Sequence, residues 1–310
     1  MRLNLLVIKY SIEWEGRIAF VFISRKAAEN TLEQHLVSIS DSRYVNDPLC
    51  KHILEREGFT SAFAYPMLAK GKVRGVLQVF HRKPYTLDGE RESLLNAMAG
   101  QAALAIDTIQ LFDDLQQSNF RLAMAYDATI EGWSNALDLR DKETEGHTQR
   151  VTNLTLELAR IMGITGPELV HIRRGALLHD IGKMGVPDHI LLNPDSLTPE
   201  EWAEMRLHPV HAYKMLSQIQ FLHPALDIPH HHHERWDGTG YPDGLKGEQI
   251  PLHARLFTVV DVWDAVTSDC PYRKAWTRKR ALDYIREQSG KHFDPQVADE
   301  FLRMIQVDRA

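Results

Sequence analysis

The stretch Leu177-Leu178-His179-Asp180-Ile181-Gly182-Lys183 decides how this chain is read, because an apolar helical run there ends on two adjacent metal-donor side chains. Neighbouring residues on a helix diverge by about 100°, so one donor can face one ion while the adjoining carboxylate spans two. A His-Asp pair alone is commonly a solvated or capping pair. Its weight here comes from His147, His208, His232-His233 and Asp261, donors on other segments of the same half of the chain. Neutral imidazoles and carboxylates suit Fe, Mn, Ni or Zn, and a set of this size could hold two or three divalent ions.

Each donor has its own context. Glu143 precedes His147 by four residues, so on a continuing helix the two share a face and could chelate one ion. The opposing reading leaves Glu143 in an exposed charged turn, Asp141-Lys142-Glu143. His208 sits in Leu207-His208-Pro209-Val210-His211, with His211 expected to pack or to face solvent. The run His230–His233 leads into Glu234-Arg235-Trp236-Asp237-Gly238-Thr239-Gly240-Tyr241-Pro242. Of these four histidines, His232 and His233 are the ligand candidates, and His230 and His231 are expected outside the set. Asp261 lies inside the apolar Phe257-Thr258-Val259-Val260-Asp261-Val262-Trp263, where a carboxylate is costly to bury unless it is paired or metal-bound. Asp264, one turn on, is expected to orient a ligand histidine. Gly182 permits close approach, and Lys183 is available for a phosphate.

Around these donors residues 140–310 read as helix-rich, with helices expected over Thr152–Met162, Leu169–Leu178, Glu201–Ile219, Ala254–Thr267 and Arg278–Glu287. The capping box Thr198-Pro199-Glu200-Glu201 opens the third of them. Residues 1–86 read as α+β. Strands are expected over Arg17–Ser24, Ala62–Leu68 and Val73–His81, with a helix over Ala27–Val37. The turn Ala69-Lys70-Gly71-Lys72 makes the last two strands a hairpin. Between the halves a 4-3 spacing runs through Met98, Ala102, Ala105, Ile109, Phe112, Gln116, Asn119, Ala123, Tyr126, Ile130, Trp133 and Leu137. That period suits a two-stranded homodimeric seam, with the polar pair setting register; the alternative is a helix packed on its own domain.

Composition narrows the function classes. A net charge of −6 without a basic block argues against duplex nucleic acid as a partner. Two cysteines, Cys50 and Cys270, form no paired pattern, which fits a reducing cytoplasm. No apolar run approaches the ~20 residues of a membrane span, and Leu3–Ile8 is too short for a signal peptide. The chain is therefore expected to be soluble and cytoplasmic as given, with room for it to be part of a longer protein.

Two resemblances follow from these motifs. Ala64-Tyr65-Pro66-Met67-Leu68, Lys70-Gly71-Lys72-Val73-Arg74-Gly75-Val76-Leu77-Gln78-Val79-Phe80 and the helix around Ala99–Ile106 resemble the closing strands and last helix of a GAF domain, a small-ligand sensor fold. The family's opening helix is not evident, which implies a domain truncated at its N-terminus. His179-Asp180-Ile181-Gly182-Lys183, His232-His233-Glu234, Asp237-Gly238-Thr239-Gly240-Tyr241-Pro242 and Asp261 with Asp264-Ala265 resemble the HD-GYP family of HD phosphohydrolases.

The resemblances imply a multidomain chain. It would comprise a GAF-like α+β domain at 1–112, a connecting helix at 113–139 and an all-α HD-type helical bundle at 140–310. They imply metal-dependent hydrolysis of cyclic di-GMP to pGpG or GMP, with Fe or Mn ahead of Ni or Zn. His147, His179, Asp180, His208, His232, His233 and Asp261 would be ligands, Asp180 the catalytic bridge, and Glu143 an additional ligand for a third ion. Gly240, Tyr241 and Pro242 would shape the substrate mouth, while Lys183, Arg273 and Lys274 would meet phosphate. Where many members read Ser-Asp-Arg-Pro-Tyr-Arg, this chain has Ser268-Asp269-Cys270-Pro271-Tyr272-Arg273. A lost charge-assisted contact of that kind is worth roughly 1.5–3 kcal/mol. That departure keeps a receptor without turnover, or a phosphohydrolase for another nucleotide, as the competing readings.

Overall fold

Residues 61–81 alternate large apolar side chains with others facing away, and they form the two longest strands of an antiparallel sheet. The structure is a computed structural model that describes residues 12–14, 17–22, 58, 60–86, 88–141, 146–269 and 274–307. The helix expected over Ala27–Val37, both cysteines, Glu143 and Arg273 lie outside the described residues. The strands are β1 (Ile12–Trp14), β2 (Arg17–Phe22), β3 (Ser61–Ala69) and β4 (Lys72–His81), in the order β1-β2-β4-β3.

The hairpin turn holds Lys70 at φ 49° and Gly71 at φ 73°. Two successive positive φ values match the right-handed twist of the flanking strands. Phe63, Tyr65, Met67, Ala69, Leu77 and Val79 gather on one side of the sheet, where Ala99 and Ala103 of the following helix are wholly buried against them.

That helix, α1, runs without interruption from Gly89 to Asp141. By contact density the chain divides into two units, Met1–Arg121 and Leu122–Ala310, and the boundary falls within it. The 4-3 stripe has more than one environment. Met98, Ile109, Phe112 and Trp133 are at least two-fifths exposed, whereas Ile130 and Leu137 are buried in the C-terminal unit. Ile130 joins Leu177, Leu178, Ile181, Ala212, Leu216 and Leu222, and the Tyr126 ring meets Phe221 at 4.6 Å. At its C-terminal end, therefore, the stripe packs on its own domain.

The C-terminal unit continues with α2 (His147–Ile161), α3 (Pro167–Leu177), α4 (Asp188–Leu191), α5 (Pro199–Met205), α6 (His208–Leu216), α7 (Asp227–His231), α8 (Leu252–Thr267), α9 (Arg278–Gln288) and α10 (Pro295–Val307). The single helix expected over Glu201–Ile219 is two, α5 and α6, parted at Arg206-Leu207. Pro209 lies in the first turn of α6, where it lacks an N–H for the preceding turn and disfavours helical geometry just before it. The break turns His208 out of the line of α5 and into the core. Helices α4, α7 and α10 are not among those expected from the sequence; α4 and α7 have only four and five residues, and α10 opens on Pro295 directly after Asp294.

The main core brings α2, α3, α8, α9 and α10 together around Leu158, Ile172, Phe257, Val260, Ile285 and Phe301, all at 0% exposure. Burying a side chain of that size stabilises by roughly 1.5–3 kcal/mol. Phe257 belongs both to this core and to the donor cluster, with its ring 4.8 Å from that of His179.

Candidate metal centre

Four helix ends and one helix interior deliver the donors. His147 opens α2, His179-Asp180 follow α3, His208 opens α6, His232-His233 follow α7, and Asp261 projects from the middle of α8. Among the described residues they form two groups. Asp180, His208, His232 and His233 offer ligand atoms within 4.8 Å of one another, and so do His147, His179 and Asp261. All seven non-glutamate donors named from the sequence are thus brought together.

Asp180 joins the groups. Its Oδ2 lies 3.0 Å from His179 Nε2, while its Oδ1 lies 3.3 Å from His208 Nε2 and 3.7 Å from His232 Nε2. Three histidines have their other ring nitrogen committed to main-chain carbonyls: His179 Nδ1 to Ala176 O at 2.8 Å, His208 Nδ1 to Met205 O at 2.8 Å, and His232 Nδ1 to Ile228 O at 3.0 Å. A carbonyl only accepts, so each Nδ1 carries the proton and each Nε2 lone pair points into the cluster. His147 is arranged likewise. Its Nδ1 lies 2.7 Å from Asp264 Oδ2 and its Nε2 3.4 Å from Asp261 Oδ1.

The electrostatics favour bare donors. Burial pushes His208 down to about 4 and His233 well below its ordinary value. Burial works against an ionised Asp180, but His179 and Lys183 hold its carboxyl well below the usual range. For Asp261, His147 outweighs burial in the same direction. His179 runs the other way: burial lowers it, yet the carboxylates of Asp180 and Asp261 bring it above its ordinary value, so a metal ion would displace a proton there. Six donors with ionised oxygens or oriented Nε2 lone pairs, most of them buried, fit divalent metal ions.

Gly182 explains how His208 reaches the cluster. A Cβ there would stand 1.8 Å from the His208 carbonyl oxygen, so only glycine lets α6 lie against the His-Asp turn. Lys183 Nζ sits 2.7 Å from Asp180 Oδ2 and 2.6 Å from Asp141 Oδ2. Tyr241 stacks on His233 with ring centroids 4.8 Å apart, and the Arg206 guanidinium lies 5.5 Å from the centroid of the Tyr241 ring. Gly240 is pressed against the main chain of Glu234 and Arg235, and Pro242 follows on the same loop. Lys274 is exposed, at the edge of the described residues.

Three supporting residues carried no signal strong enough to be named in advance. Arg150 grips both oxygens of Asp264 at 2.7 and 2.8 Å. Glu234, 1% exposed, accepts from the main-chain N–H groups of Asp243, Gly244 and Leu245 at 2.8, 3.0 and 3.1 Å. Asp141 shares Lys183 with Asp180. Arg150 stands three residues after His147, and Glu234 directly follows the histidine run, so position alone marked them.

A model of the HD domain matches residues 132–297, and a model of the GAF domain matches residues 27–107. The first takes in more than half of the 310 residues, and the chain belongs to the HD domain family. Among its curated relatives, the cyclic di-GMP phosphodiesterase response regulator RpfG of Xanthomonas campestris is 42% identical, over 56% of this chain and 47% of that protein. The 3'3'-cGAMP-specific phosphodiesterase 2 of Vibrio cholerae is 31% identical, over 82% of this chain and 48% of its own length. A cyclic di-GMP phosphodiesterase of Pseudomonas aeruginosa is 40% identical, over 68% of this chain and 50% of that protein. The chain thus spans about half the length of the curated relatives it matches.

Proposed function

We propose that this chain hydrolyses the phosphodiester bonds of a cyclic dinucleotide, cyclic di-GMP first, to pGpG or GMP in bacterial second-messenger signalling. The observation that carries the reading is the pair of donor groups meeting at the two oxygens of Asp180. His147, His179 and Asp261 would hold one ion, and His208, His232 and His233 a second, with Asp180 common to both. Glu143 would serve a third. The donor set accepts Fe or Mn, and Ni or Zn as well. Divalent ions at such a site supply Lewis acidity and a lowered pKa for attacking water.

The protein's own groups do the rest. Lys183 keeps Asp180 ionised and places a cation beside it for phosphoryl charge. Asp264 fixes the His147 ring, and Arg150 fixes Asp264. The Gly240-Tyr241-Pro242 segment walls the mouth, with the Tyr241 ring seated on His233. Arg273 and Lys274 would meet substrate phosphates.

The relatives support hydrolysis and divide between two substrates, cyclic di-GMP and 3'3'-cGAMP. A panel of cyclic di-GMP, 3'3'-cGAMP and mononucleotides, assayed by product chromatography, tests the reading. Cyclic di-GMP is expected to turn over fastest. Binding of cyclic dinucleotide with no product would instead favour the receptor reading that Cys270 raises. Turnover of mononucleotides alone would favour a different HD phosphohydrolase.

In this reading the GAF domain senses a small ligand whose identity is open, and the protein works in the cytoplasm as a homodimer. No helix among the described residues is long and apolar enough to cross a membrane. The dimer reading rests on the exposed Met98, Ile109 and Phe112 of the α1 stripe.

A further inference from the structure

The histidine run contains two members that the buried centre does not use. His230 and His231 close α7, and both turn towards Asp243 on the loop that carries Tyr241. His231 Nε2 lies 3.2 Å from Asp243 Oδ2, and His230 Nε2 lies 3.9 Å from the same oxygen. All three donor atoms lie within 4.8 Å of one another, a third such group among the described residues.

A hydrogen bond accounts for only part of this geometry. The distance of 3.9 Å is too long for one. Donors on a tetrahedral ion with bonds of about 2.1 Å stand roughly 3.4 Å apart, and the two measured distances straddle that value. The second ring nitrogen of His231, Nδ1, is buried without a hydrogen-bond partner, so nothing there fixes its tautomer. An ion on Nε2 would leave the proton on Nδ1.

Two of the three residues are also held in place before any ligand arrives. The Tyr213 ring stacks on His230 with centroids 4.5 Å apart. Asp243 has its main-chain N–H bound by Glu234 Oε1 at 2.8 Å. The Asp243 side chain is 49% exposed and the two imidazoles 16%, which leaves an open approach and room for water ligands.

We propose that His230, His231 and Asp243 form a separate cation site at the rim of the substrate mouth, taking a borderline divalent ion such as Zn2+ or Ni2+. Two imidazoles and one carboxylate are the donor set such ions prefer over Mg2+ or Ca2+. An ion there ties α7, whose next residue is His232, to the loop segment two residues past Tyr241. The site thus links the supply of a free metal ion to the position of the mouth loop.

The test uses the full chain without an affinity tag, equilibrated by dialysis against micromolar Zn2+, with bound zinc counted by elemental mass spectrometry. Asp243→Asn and His231→Gln are each expected to hold about one zinc fewer than wild type. The double variant His179→Ala/Asp180→Ala is expected to keep the zinc that Asp243→Asn removes. Absorption of a bound Co2+ probe gives a second readout, and the component lost in Asp243→Asn is expected to persist in the double variant. Equal zinc in wild type, Asp243→Asn and His231→Gln overturns the proposal whether or not the buried centre is filled.

Discussion

Gly182 lies directly beneath His208, so close that a methyl group on it would meet the His208 carbonyl oxygen at 1.8 Å. The His-Asp turn and the start of α6 are therefore one packed unit, and the placement of His208 beside Asp180 depends on the missing side chain of Gly182. Gly182→Ala forces the two main chains apart. Overpacking of this kind costs roughly 1–3 kcal/mol. Thermal melting should fall accordingly, and metal bound per chain should drop with it. An unchanged melting temperature would contradict the packing described.

Asp264 contributes through His147 without itself reaching the cluster. Its carboxyl is held down to about 2: burial opposes ionisation, but His147 and Arg150 outweigh it. Asp264→Asn keeps the shape yet offers an amide that can present N–H to the ring. Loss of such a partner typically weakens metal affinity 10–100-fold. Metal titration of the two proteins checks this, and equal affinities would remove Asp264 from the account.

Glu234 anchors the mouth loop through three main-chain N–H groups. Hydrogen bonds to a charged group contribute roughly 1.5–3 kcal/mol each in a buried setting. Glu234→Gln can accept through one oxygen only, so the loop over residues 236–251 should become the first site of limited proteolysis. The His179 and Asp261 side of the cluster should keep its affinity, since these three bonds of Glu234 all go to the mouth loop. Equal cleavage rates for variant and wild type would count against this role.

His253 gives a pH dependence away from the donors. Its Nε2 faces Glu168 Oε1 at 2.9 Å and its Nδ1 faces Asp227 Oδ2 at 3.4 Å, so only the doubly protonated ring donates to both. The hydrogen bond with Asp227, and after it Glu168, outweighs burial and raises the pKa above 6.5. Because the folded value exceeds the unfolded one, this stabilisation is complete below about pH 6.5 and is lost as pH rises through the folded value. The melting-temperature gap between wild type and His253→Gln should therefore be larger at pH 6 than at pH 9. A gap that is constant or grows with pH would contradict the assignment.

How far the sequence could be read follows from what each residue type signals locally. The hairpin was legible because Gly71 sits between period-2 apolar runs and suits a turn with positive φ, whereas the positive φ of Lys70 is not written in its residue type. The donor cluster was legible because a carboxylate inside an apolar helix such as Asp261, or adjacent histidines before a glycine-rich loop, has few structural uses. The break between α5 and α6 was written in Pro209, but the helical periodicity on either side masked it. Arg150, Asp141 and Glu234 were harder, since an exposed-looking charge acquires its role only from residues brought close by folding. Asp264, for instance, lies 114 positions from Arg150. The buried fate of Ile130 in the seam stripe likewise depends on α3 and α6, which the spacing alone does not contain.

The most direct test is metal content measured on anaerobically purified full-length protein alongside cyclic di-GMP turnover, in wild type and in His179→Ala/Asp180→Ala. The account predicts at least two transition-metal ions per wild-type chain together with hydrolysis, and the loss of the buried ions and of all turnover in the double variant. Full turnover in that variant, or a wild-type chain that hydrolyses cyclic di-GMP while holding no metal, would contradict it.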